Sequence, residues 1–314
     1  MKAVTYRRYG RPNVLQIVDV AEPSIKKGQV LIRNFASSVN PIDWKIRSGM
    51  LRPLSGMFPP FRCGCDFAGE IIDMASDVTG FAMGDRVFGF LSPLKPGAYA
   101  ELVAVDAALL AHIPNNLSYT EAAVVPLAGL TAYDALTRVV PLAAGQRIII
   151  NGCSGGVGTM AIQIAKIIGA DVVGVCSHKN HALALELGAD EAIDYHENPK
   201  FRGVGSADVF FDVVGSRSLS TVQSVLKTNG VYVHTLPELK TFLIDPLLNV
   251  SSKQKSRVVM VKSSGVSLQV LSEWMSNHLL KPVIERGYSL EEISAAQVHS
   301  ETGRTKGKVS VVIR

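Results

Sequence analysis

A glycine-rich segment at residues 151–158 reads Asn-Gly-Cys-Ser-Gly-Gly-Val-Gly and lies between an apolar run at residues 147–150 and a helical pattern at residues 157–168. A strand, a glycine turn and a helix in this order can hold a dinucleotide pyrophosphate, because glycine lets the backbone approach the phosphates and the helix start offers N–H groups. Cys153 stands where the usual Gly-x-Gly-x-x-Gly pattern has its first glycine. We predict NAD(P) binding, with contacts from four turn residues: Ser154, Gly155, Gly156 and Val157.

The end of the next strand pattern decides between NADP and NAD. This strand, residues 171–176, is followed directly by four polar residues: Ser177, His178, Lys179 and Asn180. An acidic residue here would bind the ribose 2′-hydroxyl of NAD, whereas a 2′-phosphate requires donors or positive charge, and no acidic residue occurs before Glu186. We therefore predict NADPH, with Ser177, Lys179 and Asn180 among its contacts; the alternative is that Lys179 is an ordinary solvated residue.

The elements around the turn alternate between strand and helix. Further strand patterns cover residues 207–214, 230–235 and 257–261, and helical patterns cover residues 180–187 and 218–226. Strands that alternate with helices predict a parallel sheet covered on both faces.

The rest of the chain has a different pattern. Short alternating strands punctuated by glycines precede residue 115 and predict a barrel or partly open β-domain. Residues 117–136 read as a helix in two pieces broken around Gly129. Helices at residues 266–278 and 290–299 and a strand at 309–313 are too short to fold alone, so we expect them to pack on the first domain. The predicted domains are 1–120 with 263–314, and 121–262.

Composition excludes several classes of protein. With 314 residues, of which 47% are hydrophobic, the chain can form two cores. Its net charge of +5 is spread along the sequence and concentrates only at Arg304, Lys306 and Lys308, which argues against nucleic-acid binding. Apolar runs are too short for a membrane helix, so we expect no membrane insertion and a cytoplasmic protein. The four cysteines are expected to be reduced and buried.

Several ordered motifs together resemble the medium-chain dehydrogenase/reductase superfamily, and within it the zinc-free quinone oxidoreductases and enone reductases. The motifs that carry the resemblance occupy residues 39–49, 64–70, 84–89, 97–101, 127–133, 151–158 and 303–308. The resemblance implies an α/β fold, in which a Rossmann doubly wound parallel sheet is joined to a GroES-like, β-barrel-type catalytic domain. We also expect a homodimer.

The same resemblance implies a set of site residues. Asn40, Asp43, Lys45 and Thr131 would surround the nicotinamide and its ribose, and Asn40, Lys45 and Thr131 would be catalytic. Lys45 would hold the ribose or polarise a carbonyl oxygen. Each of the others has a structural alternative: Asn40 could form a turn, Asp43 could cap a helix, and Thr131 could mark a helix break. The remaining predicted cofactor contacts are Tyr195, Val214, Gly215, His234, Thr235, Leu236, Lys306 and Lys308.

The donor set argues against a metal. Where zinc relatives carry cysteine and histidine, this chain has Asn40 and Cys65. An improvised site from Cys63, Cys65 and Asp66 is also disfavoured, since cysteines one residue apart on a strand point to opposite faces. No metal is therefore expected.

These observations predict hydride transfer from NADPH to a quinone or to the β-carbon of an α,β-unsaturated carbonyl, in a cleft between the domains. The alternative is an NADPH-binding regulatory or interaction protein with little turnover.

Overall fold

The computed structural model describes residues 1–52, 59, 61–235 and 253–314. Its contacts divide the chain into two compact units. Unit 1 comprises Met1–Leu130 and Lys262–Arg314, and unit 2 comprises Thr131–Val261. In the described ranges, every helix is too short or too polar to span a bilayer. The assignment of catalytic and cofactor roles to two domains stays a prediction.

The N-terminal part of unit 1 is rich in strands. Its elements in chain order are β1 (Lys2–Tyr6), β2 (Gln16–Asp19), β3 (Gln29–Val39), α1 (Pro41–Ser48), β4 (Phe61–Arg62), β5 (Asp66–Met74), β6 (Arg86–Phe90), β7 (Leu102–Asp106), β8 (Ala111–His112), α2 (Tyr119–Ala123) and α3 (Pro126–Asp134), the last of which continues into unit 2.

Unit 2 alternates strands and helices. Its elements are β9 (Arg147–Asn151), α4 (Gly156–Ile168), β10 (Asp171–Cys176), α5 (His181–Glu186), β11 (Glu191–Asp194), β12 (Ala207–Asp212), α6 (Leu219–Val222), β13 (Leu226–His234) and β14 (Lys255–Val258). The chain then returns to unit 1 with α7 (Gly265–Ser276), β15 (Ile284–Ser289), α8 (Ile293–Glu301) and β16 (Lys308–Val312).

The six strands of unit 2 form one parallel sheet in the order β11-β10-β9-β12-β13-β14. This is the doubly wound Rossmann order, in which the direction of winding reverses between β9 and β12. Ile148, Ile149 and Ile150 of β9 are fully buried, as a central strand covered on both faces requires. The predicted α/β fold with a parallel sheet is confirmed.

Unit 1 contains the GroES-like part of the fold. Strands β15-β16-β3-β5-β6-β8 lie side by side in one sheet, and β7 also pairs with β3. The pairing of β16 with β3 is antiparallel and brings Val309 opposite Val39. Strand β16, which follows α8, therefore lies beside β3, although the two strands are far apart in sequence.

The predicted helix break at Gly129 is wrong. Gly129 lies inside α3, and the break falls at Val124 and Val125, directly before Pro126. Proline ends the preceding helix because it has no N–H and restricts the residue before it. Gly129 has a packing role instead, since a Cβ there would lie 2.9 Å from the Leu271 side chain.

Candidate active site

Helix α1 begins where β3 ends, and its position is fixed at both ends. Asn40 caps the helix and Pro41 is its first residue, which suits proline because that N–H has no helical partner. Near the other end, the buried Arg47 donates from Nε to Gln297 Oε1 at 2.7 Å and also pairs with Glu301 of α8. The helix that carries the predicted residues Asn40, Asp43 and Lys45 is thus capped at its start and anchored to α8 near its end.

The side-chain amide of Asn40 lies in a buried polar cluster with Asp66 and Lys308. Asn40 Nδ2 donates to Asp66 Oδ2 at 2.8 Å, and Lys308 Nζ donates to Asn40 Oδ1 at 2.5 Å. The distance from Lys308 Nζ to Asp66 Oδ2 is 3.5 Å. Burial lowers the pKa of Lys308, and the Asp66 carboxylate opposes that shift.

Asp43 is a second buried carboxylate in the same region. Its Oδ2 accepts from the Asn40 backbone N–H at 2.8 Å and from Tyr99 Oη at 3.1 Å. Burial raises the pKa of Asp43 to about 6. The contact of Asp43 with the Asn40 N–H is a helix-capping contact, which agrees with the alternative that Asp43 caps a helix. A contact of Asp43 with the cofactor stays a prediction.

Lys45 differs from the other charged residues nearby. It is half-buried, and its ammonium lies 5.6 Å from the centre of the Trp44 ring. Burial lowers the pKa of Lys45. Within the described residues, no hydrogen bond or ion pair engages its Nζ. A half-buried cation with unused donors can stabilise negative charge on a bound group.

No group of three or more potential metal ligands occurs among the residues that the structure describes. The prediction that Cys63 and Cys65 lie on a strand, with their side chains on opposite faces, is wrong. These residues lie between β4 and β5, and Gly64 turns the backbone with φ of 88°, so a strand rule does not apply to them. The residues around Asn40 still argue against a metal ion, because the Lys308 ammonium beside Asn40 would repel a metal cation.

In unit 2, the glycine-rich turn has the shape of a phosphate-binding turn. A Cβ at Gly158 would lie 2.2 Å from the Gly152 carbonyl oxygen, so only glycine fits there. A Cβ at Gly155 would lie 3.6 Å from the same oxygen, which is an ordinary van der Waals contact. The backbone is therefore tightly packed below the turn and open at the start of α4, where free N–H groups attract an anion.

Cys153 occupies the position of the missing glycine without disturbing the turn. Its side chain is fully buried and faces β10, where a Cβ at Gly174 would lie 2.9 Å from its Sγ. Gly174 thus provides the space that Cys153 fills. All four cysteines are free and buried, as expected.

The loops after β10 and β11 carry the predicted residues for the adenosine phosphate. Asn180 Nδ2 donates to Ser154 Oγ at 3.0 Å, which connects the loop after β10 to the glycine turn. Lys179 and Tyr195 are exposed. Asp194 accepts from the backbone N–H groups of His196 and His178, at 2.8 and 3.0 Å, and the His196 contact contributes most to lowering its pKa. Its carboxylate therefore joins the two loops.

A further group of predicted residues lies after β12 and at the end of β13, and comprises Val214, Gly215, His234 and Thr235. Asp212 is fully buried; its Oδ1 accepts from Gly215 N at 3.0 Å and from Asn151 Nδ2 at 2.8 Å. Thr235 Oγ1 donates to the Val213 carbonyl at 2.9 Å. These contacts shape the loop that contains Val214, which is 54% exposed.

The other predicted residues have different surroundings. His234 is buried and stacks on Tyr232, with 5.3 Å between ring centres, and Thr131 is buried in α3. Leu236 lies outside the described residues. Lys306 is exposed, whereas Lys308 is 4% exposed.

Sequence reasoning did not assign roles to Asp66, Tyr99 and Asp212. Each is fully buried and provides or joins the hydrogen bonds that hold a predicted site residue. For Asp66 and Asp212 a signal was present: Asp66 begins an apolar strand and Asp212 ends one, and a buried aspartate must have hydrogen-bond partners. The partners themselves are distant in sequence and cannot be deduced from it.

The Rossmann sheet, the glycine turn and the GroES-like unit together define a dinucleotide-binding oxidoreductase fold. Residues 26–115 match the family described as alcohol dehydrogenase GroES-like domain, and residues 187–311 match zinc-binding dehydrogenase. The chain belongs to the medium-chain dehydrogenase/reductase superfamily, in its group of quinone oxidoreductases and enone reductases.

Two relatives and one solved structure illustrate the group. The chain is 34% identical to the chloroplastic quinone-oxidoreductase QR1 of Triphysaria versicolor, over 99% of this chain and 98% of the relative. It is also 34% identical to 2-methylene-furan-3-one reductase of Solanum lycopersicum, over 99% of this chain and 79% of the relative. The quinone oxidoreductase structure from Coxiella burnetii is 33% identical, with a TM-score of 0.91 and coverage of 100% and 99%. Since one relative is named chloroplastic, the cytoplasmic location stays a prediction, as does the homodimer.

Proposed function

We propose that the chain is an NADPH-dependent oxidoreductase that transfers hydride, without a metal, to quinones or α,β-unsaturated carbonyls. The observation that carries the proposal is that one chain contains both a glycine turn shaped to bind phosphate, in unit 2, and a buried amide and ammonium, Asn40 and Lys308, in unit 1. The names of the relatives, a quinone oxidoreductase and a furanone reductase, support conjugated acceptors.

The turn in unit 2 fits a dinucleotide. Gly158 and Gly152 keep the backbone compact beneath the start of α4, and the space at Gly155 leaves room for a pyrophosphate. Lys179 and Tyr195 are exposed on the neighbouring loops, where they would contact a 2′-phosphate. The Asp194 carboxylate is occupied by two backbone N–H groups and is a poor competitor for a ribose hydroxyl.

The residues of unit 1 would act on the acceptor. Bound NADPH supplies the hydride. As negative charge develops on the acceptor oxygen, the Asn40 amide and the Lys45 ammonium are suitable donors to it. The Lys308 ammonium beside Asn40 disfavours a metal ion that could acidify the hydroxyl of a saturated alcohol, whereas a conjugated acceptor already spreads its charge over a π-system.

The test is a screen of NADPH oxidation with a panel of quinones, enones, enals and saturated alcohols in both directions. The proposal expects turnover with conjugated acceptors and none with simple alcohols. Tight NADPH binding without any acceptor-dependent oxidation would favour the regulatory alternative, and steady alcohol oxidation alone would contradict the proposed reaction.

A further inference from the structure

The Asn40 amide is held in one orientation by two charged groups. Its oxygen accepts from the Lys308 ammonium at 2.5 Å, and its nitrogen donates to the Asp66 carboxylate at 2.8 Å. Rotating the amide by 180° would set NH₂ against the ammonium and oxygen against the carboxylate. Both contacts would become repulsive, so the present orientation is fixed.

The distances indicate that Lys308 does more than neutralise Asp66. Lys308 Nζ lies 2.5 Å from Asn40 Oδ1 but 3.5 Å from Asp66 Oδ2. Asp66 instead makes its short contacts with other donors, Ser38 Oγ at 2.5 Å, Asn40 Nδ2 at 2.8 Å and Leu127 N at 2.9 Å. A lysine present only to balance charge would approach the carboxylate most closely.

Within the part of the chain that the structure describes, one N–H of the Asn40 amide has no acceptor. A carboxamide has two N–H groups, and the described residues provide an acceptor, Asp66, for one of them. A cation bonded to the oxygen of an amide polarises it, so that the remaining N–H becomes a stronger donor. The negative charge of Asp66, which accepts from the other N–H, weakens this polarisation. Its effect on the amide is reduced because the carboxylate also accepts from Ser38 and from the Leu127 backbone.

We infer that Lys308 is a positioning residue: its ammonium orients and polarises the Asn40 amide, whose remaining N–H then hydrogen-bonds the oxygen of the acceptor as negative charge develops there. This inference rests on the proposed function. It replaces the direct cofactor contact predicted for Lys308 from the sequence. Lys308 would thus transmit positive charge to the reacting oxygen through an amide, without touching the substrate.

The experiment compares Lys308→Met with the double variant Lys308→Met, Asp66→Asn, in which charge balance is restored. Tm, the Kd for NADPH, and kcat and KM with a 1,4-benzoquinone and a linear enone are measured for each. We expect kcat to fall about tenfold or more in both variants, with the NADPH Kd within about threefold of wild type. The Tm should recover in the double variant, while kcat should not. Lys166→Met, at the surface ion pair with Asp190, is the control.

A second readout does not depend on turnover. The side-chain amide protons of Asn40, assigned by their loss in Asn40→Asp, are followed by ¹⁵N NMR in the cofactor-free protein. Lys308→Met should shift both resonances and speed their exchange with water. Unmoved resonances, a kcat that recovers together with Tm in the double variant, or loss of NADPH binding in proportion to kcat would each overturn the inference. If the wild-type protein reduces no conjugated acceptor, the proposed function fails, and the amide resonances still decide whether Lys308 holds Asn40.

Discussion

At the scale of single residues, Lys45 and Lys308 are lysines of one unit in opposite environments. Lys308 is buried and its ammonium donates to neighbouring oxygens, whereas Lys45 is half-buried and none of the residues that the structure describes accepts from its ammonium. We expect Lys45→Met, which keeps most of the volume and removes the charge, to lower kcat/KM about tenfold, equivalent to roughly 1.4 kcal/mol of transition-state stabilisation. Steady-state kinetics with a quinone would measure this, with the exposed Lys27→Met as control. Unchanged kcat and KM would make Lys45 a bystander.

Lys179 is the residue on which the preference for NADPH can be tested. Its side chain is exposed on the loop after β10. Because only NADPH carries the 2′-phosphate, Lys179→Ala should weaken NADPH binding about fivefold, the effect of roughly 1 kcal/mol, and leave NADH binding nearly unchanged. Fluorescence titration with both cofactors would measure it, and Lys200→Ala is an exposed control in the same unit. Equal affinity of the wild-type protein for NADH and NADPH would refute the assignment.

Asp43 should make the stability of unit 1 depend on pH. Its pKa is raised from 3.8 to about 6 in the folded chain, so the folded state binds more protons than the unfolded state between these values. This contribution is fully present below pH 3.8 and is lost as the pH rises through about 6. The free energy of unfolding of wild type, relative to Asp43→Asn, should therefore fall by about 1 kcal/mol from pH 5 to pH 7.

The measurement for Asp43 is urea denaturation followed by tryptophan fluorescence. Both tryptophans of the chain, Trp44 and Trp274, belong to unit 1, so the signal reports that unit. A wild-type protein that gains stability relative to Asp43→Asn over this pH range would contradict the burial argument.

At the scale of elements, the glycine turn and α4 offer a matched pair of substitutions. Gly158→Ala places a methyl group 2.2 Å from the Gly152 carbonyl oxygen, so we expect it to destabilise unit 2 by roughly 1 to 3 kcal/mol and to abolish NADPH binding. Gly155→Ala meets no such contact and should keep the Tm while weakening NADPH, because the methyl group enters the space for the phosphates. Thermal unfolding and titration separate the two effects. Equal Tm values for both variants would show that the close packing at Gly158 does not matter.

The elements show which patterns can be predicted from sequence. The predicted start of helix α4 is within one residue of the observed start at Gly156. The prediction succeeds because the glycine turn and the apolar periodicity are both local signals in the sequence. Strand β15, Ile-Glu-Arg-Gly-Tyr-Ser, was not predicted, since two charges and a glycine hide its alternation. Its pairing with β16 stabilises it, and that pairing is not local. Strand β13 begins at Leu226, four residues before the predicted start at Gly230. The prediction missed this part because residues 227–229 are exposed and polar and show no apolar alternation.

The same limit applies to the candidate site. Asn40, Asp43 and Lys45 could be assigned through the resemblance to the family, because they lie in one short segment that carries a motif. The partner that fixes Asn40 could not, because Lys308 lies 268 residues away and reaches it only through the pairing of β16 with β3.

At the scale of the whole molecule, the proposed chemistry predicts independence from metals. The polar cluster of unit 1 contains one carboxylate, Asp66, and otherwise an amide and an ammonium where a metal site would need further anionic or imidazole ligands. Dialysis against a strong chelator should leave the kcat of quinone reduction unchanged, and elemental analysis should find less than stoichiometric zinc. Stoichiometric zinc together with activity lost on its removal, and restored by adding it back, would refute this expectation.

The pairing of β16 with β3 also has a consequence for biosynthesis. Asp66 leaves the ribosome 242 residues before Lys308, a delay of roughly 10 to 50 s at usual rates of translation. Throughout that interval the nascent chain contains Asp66, whose carboxylate is buried in the folded protein, but does not yet contain Lys308, whose ammonium lies beside it. The buried cluster around Asp66 is therefore incomplete until β16 has been made, so the synthesis of Lys308 sets the earliest time at which the candidate site can form.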